Sequence, residues 1–490
     1  MKINRFNIVL LIMVFNLMSA GCQSVGRHSL TPSPDGSVIA LIDSVDFDIM
    51  GPEPIHIYRG AYLRIQRIQQ SRERGFTSIK IADKSEYFSR SGGLYWSPNG
   101  RSVAFTTSPN DRLWIVGIYA KPKKNLIAED VYSFRWVDDT HMVYVTQDGD
   151  VIEANLLDDG TVNERKTLFS VGDLRDTDGR LAYHYPGLSG SGGFKFNNPL
   201  SPNAQFFVYG TGQNLTIVNL STATIEKSFP LTGTPIKFWW DDGSSNLLIG
   251  VQKKKKREYI EDTHHYYYLY QRESGTLTNI INRLEDTSQF SPYETSGHGR
   301  VWLSDGKHFI LNSGYPYYKT WLFNTDSLST VWMEREMERF EDGNFSQRQR
   351  LIATLPLEDG EVDSSKEPLP KLPREHDANL YEKRRKMIEK NSSSRVVIEP
   401  SPAGNLLAVR QPEGRQRHEK QTSTCYVLKI VPGPKGELSL DVLKKIESGI
   451  KKRFLWIDYW IPEDFFWTAD GRGLLFTDFG GDKFRLVNIP

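Results

Sequence analysis

The chain has 490 residues, 61 Lys and Arg against 60 Asp and Glu, and two cysteines. That length can bury a large core or a serial repeat array, and the balanced charge argues against a globally basic nucleic-acid-binding protein. Two cysteines exclude a disulfide scaffold and a zinc site built from several thiolates, whereas an aromatic content of 12% favours β-rich structure.

The first residues have the layout of a secretory signal peptide. Lys2 and Arg5 form a positive region, and an apolar run follows from Ile8 to Phe15. Small residues then lead to Cys22. Because the apolar run is too short for a comfortable membrane span, we expect residues 1–21 to be a cleaved signal.

The small residues before Cys22 resemble the lipobox of bacterial lipoproteins. The resemblance implies cleavage before Cys22, a diacylglycerol on its thiol and residues 22–29 as a lipid-anchored tether. Several acyl chains hold a protein at a bilayer more firmly than one chain does. Gln23, rather than the Asp that retains Gram-negative lipoproteins at the inner membrane, implies the outer membrane, on either its periplasmic or its external face. Secretion without lipid is the alternative.

One short pattern recurs eight times along the rest of the chain. Each copy has an aromatic residue, Pro or Leu, then a polar turn that usually ends near Gly, then an apolar run. The copies begin at Pro32, Trp96, Trp136, Leu200, Trp239, Trp302, Pro400 and Trp467. Eight copies in the same register indicate an internal repeat.

The chemistry of one copy predicts a hairpin. An Asp-Gly or Asn-Gly pair tolerates the positive φ that a tight turn demands. The following Val-, Ile-, Leu- and Phe-rich run suits a strand buried on both faces. A second aromatic-rich strand and a short outer strand usually follow, so each unit is an antiparallel meander of about 40 residues, the size of one propeller blade.

The repeat spacing predicts an all-β protein, a β-propeller of four-stranded antiparallel blades over residues 30–490. Eight copies predict eight blades, with seven as the alternative if one copy lies outside the ring. The last copy leaves room for three strands before Pro490. Residues near Arg27–Leu30 are expected to supply the missing outer strand and close the ring.

The repeat resembles the TolB-type, WD-like propeller repeat, whose blades read roughly Trp-Ser-Pro-Asp-Gly before an apolar strand. The matching segments are Ser33-Pro34-Asp35-Gly36, Ser97-Pro98-Asn99-Gly100 and Ser304-Asp305-Gly306. The resemblance covers most of residues 30–490 and implies the fold rather than a function, because propellers host many unrelated activities.

Two segments between the repeats contain motif-like residues. Asp148-Gly149-Asp150 is interpreted as a turn rather than a calcium loop, since no further ligands follow it. Gly187–Phe194 is glycine-rich but lacks the spacing of a nucleophile elbow and the lysine of a phosphate-binding loop. We interpret it as a flexible loop between blades.

A basic run at Lys253–Arg257 precedes the pair His264-His265. The run is interpreted as a charged hairpin tip, with anionic glycan or nucleic-acid binding as the less favoured alternative. Neighbouring strand residues point to opposite faces, so one metal ion cannot easily use both histidines. The remaining histidines include His141, His184, His298 and His308, which are scattered among the blades.

The longest interval between repeats contains a charged excursion at residues 335–395. Asp377 is suited to cap a helix that runs to about Lys390. A solvated excursion is favoured over a lid or docking element. Cys425, in a strand-like run, is expected to be a buried apolar residue rather than a nucleophile.

These patterns predict a lipid-anchored propeller of the bacterial envelope that acts as a non-catalytic scaffold. Its expected partners are the membrane, through lipid on Cys22, and another envelope protein or a glycan, with no nucleic acid. No cofactor, metal site or catalytic residue is predicted, and no ligand-binding residue is assigned. The alternative is a propeller enzyme that cleaves polysaccharide, with acidic and His residues at the channel mouth.

Overall fold

The structure is a computed structural model. It describes residues 22–49, 55–67, 77–82, 87–88, 94–108, 111–118, 123–171, 198–256, 261–280, 301–312, 320–333, 397–402, 404–410, 423–432, 438–448, 450–454, 457–461, 464–468, 470–477 and 484–489. The expected signal peptide, the Gly187–Phe194 loop and the excursion at 335–395 lie outside these ranges. Within them, no helix has the length and apolar character needed to cross a bilayer.

The fold is all-β, an eight-bladed β-propeller of antiparallel meanders. Blades 1 to 3 contain β1 (Cys22–Pro32), β2 (Val38–Ile49), β3 (Ile55–Arg67), β4 (Thr77–Ala82); β5 (Tyr87–Phe88), β6 (Tyr95–Trp96), β7 (Ser102–Ser108), β8 (Arg112–Gly117), β9 (Lys124–Ala128); and β10 (Val131–Trp136), β11 (His141–Thr146), β12 (Asp150–Leu156), β13 (Val162–Ser170). Eight blades were predicted, and the prediction is confirmed.

The later blades follow the same order. Blades 4 to 6 contain β14 (Phe206–Thr211), β15 (Asn214–Asn219), β16 (Thr224–Pro230); β17 (Thr234–Trp240), β18 (Asn246–Lys256), β19 (Glu261–Gln271), β20 (Thr276–Asn279); and β21 (His308–Asn312), β22 (Thr320–Asn324), β23 (Thr330–Trp332). Single bridges at Leu200 and Trp302 supply the innermost position of blades 4 and 6.

Along the sequence, a two-stranded hairpin lies between blade 7 and blade 8. They contain β24 (Val397–Pro400), β25 (Leu406–Arg410), β26 (Ser423–Pro432), β27 (Leu438–Ser448); the hairpin strands β28 (Ile450–Phe454) and β29 (Ile457–Ile461); and β30 (Asp464–Trp467), β31 (Gly473–Thr477), β32 (Phe484–Asn488). The chain divides into two compact units: one holds blades 1 to 3, the other blades 5 to 7 and nearly all of blade 8, and blade 4 contributes to both.

The repeated turn connects the first two strands of a blade. In blade 1, Gly36 N–H donates to Ser33 O at 2.9 Å, and the Ser33 hydroxyl accepts from Val38 N–H at 3.0 Å. Gly36 has φ of 68°, and its counterparts Gly100, Gly306, Gly404 and Gly471 are also positive. The predicted need for a residue tolerant of positive φ is therefore confirmed.

Blade 5 differs from the sequence alignment by one residue. The equivalent turn runs from Asp241 to Ser244, because Ser244 N–H donates to Asp241 O at 3.0 Å. Ser244, with φ of 58°, takes the left-handed position that the sequence pattern assigns to Gly243. The repeat therefore begins at Trp240 rather than Trp239.

The tryptophan at the start of a repeat forms a hydrogen bond to the previous blade. The indole Nε1 donates to a backbone carbonyl two residues before the previous turn. Four such bonds are Trp96 to Thr31 O, Trp136 to Tyr95 O, Trp302 to Trp239 O and Trp467 to Glu399 O, at 3.3, 3.2, 2.7 and 2.7 Å. A polar tip on a large apolar ring explains the choice of Trp at this position.

The apolar runs after the turns form the core, as predicted. In β7, Val103–Thr107 are buried, and β25 likewise buries Leu407–Arg410. Their side chains pack against the next blade, as when Ala408 of blade 7 and Phe476 of blade 8 share one cluster. Burial on both faces is what stacked blades require.

The two predictions about the ends of the propeller have different outcomes. Blade 8 has three described strands, as expected. However, the prediction that Arg27–Leu30 completes it is wrong, because Arg27 and His28 pair with Asp43 and Ile42 inside blade 1. Residues 22–29, expected as a tether, lie in β1, which extends the innermost strand of blade 1.

Candidate functional site

Three loops of blades 2 and 3 meet at one end of their strands. They connect β7 to β8, β9 to β10 and β11 to β12. Val131 N–H donates to Asp111 O at 3.0 Å, and Gln147 N–H donates to Asp130 O at 2.8 Å. The Gln147 side chain donates from Nε2 to Asp111 Oδ2 at 3.0 Å. We call Asp111, Glu129, Asp130 and Gln147 the acidic loop cluster.

Two members of the acidic loop cluster have left-handed backbone. Asp111 has φ of 37° and Asp130 has φ of 54°. Short polar side chains tolerate this region better than most, yet it costs about 1–2 kcal/mol per residue relative to the right-handed form. Such conformations concentrate at binding and catalytic sites, where the surrounding hydrogen bonds hold them.

The carboxyl of Asp111 has a pKa above its ordinary value. Its partial burial raises the pKa, the hydrogen bond from Gln147 opposes that change, and the charge of Asp130 raises the pKa further. Beside it, Arg112 Nε lies 2.9 Å from Glu129 Oε1, with the two side chains 32% and 48% exposed. At that exposure the ion pair contributes little to stability.

The neighbouring Asp148-Gly149-Asp150 segment is a turn, as predicted. Gly149, with φ of 87°, donates to Thr146 O at 3.1 Å, and Asp150 N–H donates to the Thr146 hydroxyl at 3.1 Å. Among the described residues, no three His, Cys, Asp or Glu side chains gather as metal ligands would. The acidic loop cluster therefore presents carboxylates and an amide, which suit hydroxyl, amine or cationic partners.

The described histidines belong to single blades. His141 Nδ1 lies 2.7 Å from Asp138 Oδ2 in the turn before β11. His308 is buried, with Nδ1 2.6 Å from Asp305 Oδ2 and Nε2 3.2 Å from Asn324 Nδ2. Through these two contacts His308 bridges two turns of blade 6. His184 and His298 lie outside the described residues.

The basic run forms part of a hairpin, as interpreted. Lys253 pairs with His264 across β18 and β19, and Gln252 pairs with His265. Further along, Lys255 lies opposite Asp262 and Lys256 opposite Glu261. The run up to Lys256 therefore lies in the paired strands of blade 5, and Arg257 lies outside the described residues.

The two cysteines occupy different settings. Cys22 is the first residue of β1, and its Cα pairs with Asp48. Cys425 is fully buried in β26, and burial raises the pKa of its thiol to about 12, with the charge of Arg410 opposing this. The expectation that Cys425 is a buried apolar residue is confirmed, because a thiol held protonated is a poor nucleophile.

Sequence reasoning missed the acidic loop cluster. Asp111 and the pair Glu129-Asp130 lie far apart in the sequence, at a spacing that matches no motif. A usable signal was the acidic residue directly before a strand in both places, since Arg112 begins β8 and Val131 begins β10. The contact between them depends on the packing of two blades.

The solved structures that are similar to this chain share little sequence with it. No protein-family model and no curated protein sequence matches the chain. Among solved structures, hydrazine synthase of Kuenenia stuttgartiensis is similar at a TM-score of 0.39 and 8% identity, covering 94% of each chain. Dihydro-heme d1 dehydrogenase NirN has a TM-score of 0.42 and 10% identity over 86% of this chain and 66% of its own.

A third similar structure is the β-propeller domain of Cps50 (Swd1) from Myceliophteria thermophila. Its TM-score is 0.35 at 13% identity, over 64% of this chain and 87% of that domain. None of the three carries an activity over to this chain.

Proposed function

We propose that the protein is a lipid-anchored scaffold of the bacterial envelope that binds another envelope protein or a glycan through the acidic loop cluster. The observation that carries this proposal is the pair Asp111 and Asp130, held in left-handed backbone at a meeting of three loops. Loops on a rigid frame are where binding residues concentrate. The strain at both residues is retained by hydrogen bonds from the neighbouring strand and loop.

The anchor is assigned to Cys22, and the outer membrane to the absence of Asp at position 23. Acyl chains on Cys22 would hold the edge of blade 1 at a bilayer, because this residue begins β1. Labelling with an acyl-chain analogue and detergent phase partitioning of the wild type and of Cys22→Ala test the anchor. Loss of both label and detergent partitioning in the variant supports it, and unchanged behaviour overturns it.

The binding role is tested by crosslinking in cells followed by mass spectrometry. An Asp111→Ala and Gln147→Ala double variant removes the paired side chains of the acidic loop cluster. Asp159→Ala is the matched control, since Asp159 is an exposed acidic residue of blade 3 whose carboxylate accepts only from Thr161 of its own turn in the described contacts. Loss of the crosslinked partner in the double variant alone supports the proposal, and equal capture by all three forms overturns it.

A polysaccharide-cleaving enzyme is the second candidate, favoured by the raised pKa of Asp111 beside the charge of Asp130. Pairs of carboxyl groups with separated pKa values supply acids and bases in such enzymes. Turnover of a neutral or amine-bearing polysaccharide that disappears in Asp111→Asn would support catalysis. Binding without turnover in both forms would return the site to the scaffold role.

A further inference from the structure

We propose that the acidic loop cluster binds the ammonium group of a lysine side chain on a partner protein. This inference rests on the proposed function and names the chemistry of that same site. Glu129 of the cluster is paired with Arg112 at 2.9 Å, whereas Asp111 and Asp130 have no cationic partner in the described contacts. Two carboxylates at one meeting of loops therefore remain to be neutralised, and a cation is the ligand that does so.

A buried hydroxyl in blade 2 is a second, independent sign of a ligand. Thr106 of β7 is 2% exposed, and its Oγ1 makes no hydrogen bond within the described part of the chain. Buried hydroxyls are normally paired, and an unpaired one lowers the stability of the fold. A bound group with N–H donors would therefore give Thr106 the hydrogen bond that it lacks among these residues.

The strand register directs Thr106 towards the acidic loop cluster. Thr106 pairs with Leu113 across β7 and β8, so the two residues lie on the same face of blade 2. Leu113 belongs to one core cluster with Val131 of blade 3, and Val131 N–H donates to Asp111 O at 3.0 Å. Thr106 therefore faces the start of β10, where the loops that carry Asp111 and Asp130 meet.

The three acceptors differ in their exposure to solvent. Asp130 is exposed, Asp111 is half-buried and Thr106 is buried. A lysine side chain matches this order, because its ammonium carries three N–H donors and its long apolar stem can pass through a partly buried site. Acceptors at three depths suit a compact ammonium better than the planar fork of a guanidinium. Lysine is therefore the cationic side chain that the observations favour.

The probe is the blocked peptide Gly-Ser-Lys-Ser-Gly, titrated into the full-length protein and followed by amide NMR. Matched peptides carry norleucine, acetyl-lysine or arginine in place of lysine. We expect saturable shifts at the Asp111 and Asp130 amides with the lysine peptide, and at least about tenfold weaker binding of the two uncharged peptides. The arginine peptide should also bind more weakly than the lysine peptide. No saturable binding of the lysine peptide, or equal binding of any matched peptide, overturns the proposal.

Two neighbouring threonines provide a matched pair of variants. Thr106→Val should weaken binding of the lysine peptide about tenfold, because a hydrogen bond to a charged group is lost. Its urea midpoint should not fall, since the Thr106 hydroxyl is unpaired in the free protein. Thr107→Val is the control: the Thr107 hydroxyl accepts from Trp114 Nε1 at 2.9 Å, so this variant should lose stability and keep its binding. Unchanged binding in Thr106→Val would overturn the proposal.

The same probes separate this inference from the proposed function on which it rests. A crosslinked partner that depends on Asp111 and Gln147, combined with no binding of the lysine peptide, would overturn the lysine chemistry and leave the scaffold role standing. Lysine binding that Thr106→Val weakens, combined with no captured partner, would support the site and count against the scaffold. Glucosamine is the last probe, and tighter binding of this amino sugar than of the lysine peptide would overturn the assignment to lysine.

Discussion

The turns of blades 1 and 5 form the same backbone hydrogen bond, but the pKa of the aspartate in each turn is shifted in the opposite direction. In blade 1, the hydroxyl of Ser33 occupies the first turn position, and the exposed Asp35 occupies the third. The hydrogen bond from Ser33 is the largest cause of a lowered pKa at Asp35. In blade 5, a carboxyl takes the first position as Asp241, and its burial raises its pKa.

The position of an aspartate in the turn, rather than the residue type, therefore decides whether its pKa is raised or lowered. Asp241 accepts from Ser245 N–H at 2.7 Å, Asn246 N–H at 2.9 Å and Asn246 Nδ2 at 3.0 Å. These bonds favour the ionised form, yet desolvation outweighs them. A Cβ at Gly306 of the next blade would lie 3.1 Å from Asp241 Oδ2, so the adjacent turn closes over this carboxyl.

The largest expected effect comes from a tryptophan that hydrogen-bonds to the previous blade just before its turn. Trp302→Ala should lower the free energy of unfolding by about 3–5 kcal/mol, because a buried indole and its bond to Trp239 O are lost. Trp302→Phe keeps most of the ring and should cost about 1–2 kcal/mol. Trp96→Phe, whose bond to Thr31 O is longer at 3.3 Å and only partly buried, should cost less. Urea denaturation measures all three, and equal losses for the two Phe variants would contradict the predicted dependence on bond length and burial.

Asp241→Ala should cost about 2 kcal/mol, since three donors lose their acceptor in a buried turn. Asp241→Ser should recover much of that loss, because a hydroxyl at this position accepts the equivalent N–H in blade 1 at 3.0 Å. The same denaturation experiment compares the two variants. If Ser is no better than Ala, blade 5 does not use the turn chemistry of blade 1.

Ser244→Gly should raise the free energy of unfolding by about 1 kcal/mol, since Ser244 has φ of 58° without the freedom of glycine. The converse change, Gly36→Ser in blade 1, should lower it by a similar amount. Thermal unfolding followed by circular dichroism reports both. A loss of stability in Ser244→Gly would show that the serine side chain contributes more than its backbone strain costs.

The smallest effect is the opposite pH dependence of the two aspartates. The pKa of Asp241 is higher in the folded than in the unfolded chain, so its contribution should fall as pH rises from about 4 through the folded value. The pKa of Asp35 is lower when folded, so its contribution should be present above about pH 4 and be lost as pH falls. Stability profiles of Asp241→Ser and Asp35→Ser, each subtracted from the wild type, should slope in opposite directions, and parallel slopes would contradict the assignment.

The sequence predicted the fold because the repeat is local. A residue tolerant of positive φ, a following apolar run and an initial Trp recur within about a dozen residues, and each has a short-range physical reason. The repeat register in blade 5 was missed, because Gly243 is present and yet Ser244 takes the strained position. Local preference did not decide there, since the hydrogen bond from Ser244 N–H to Asp241 O sets the turn.

The acidic loop cluster and the pairing of the N-terminal strand were not predictable in the same way. Asp111 and Asp130 meet only because blade 2 packs on blade 3. Arg27 pairs with Asp43, its neighbour along the chain, rather than with the distant blade 8. Contacts over long sequence separation depend on blade packing, and a pattern within one segment carries no information about them.

The buried thiol of Cys425 allows local opening at blade 7 to be measured. At neutral pH a thiol with a pKa of about 12 is almost entirely protonated, and its side chain is covered by apolar residues of blade 8. Iodoacetamide should therefore label this cysteine only in molecules in which blade 7 and blade 8 have separated locally. The labelling rate measures that local opening without a substitution in the chain.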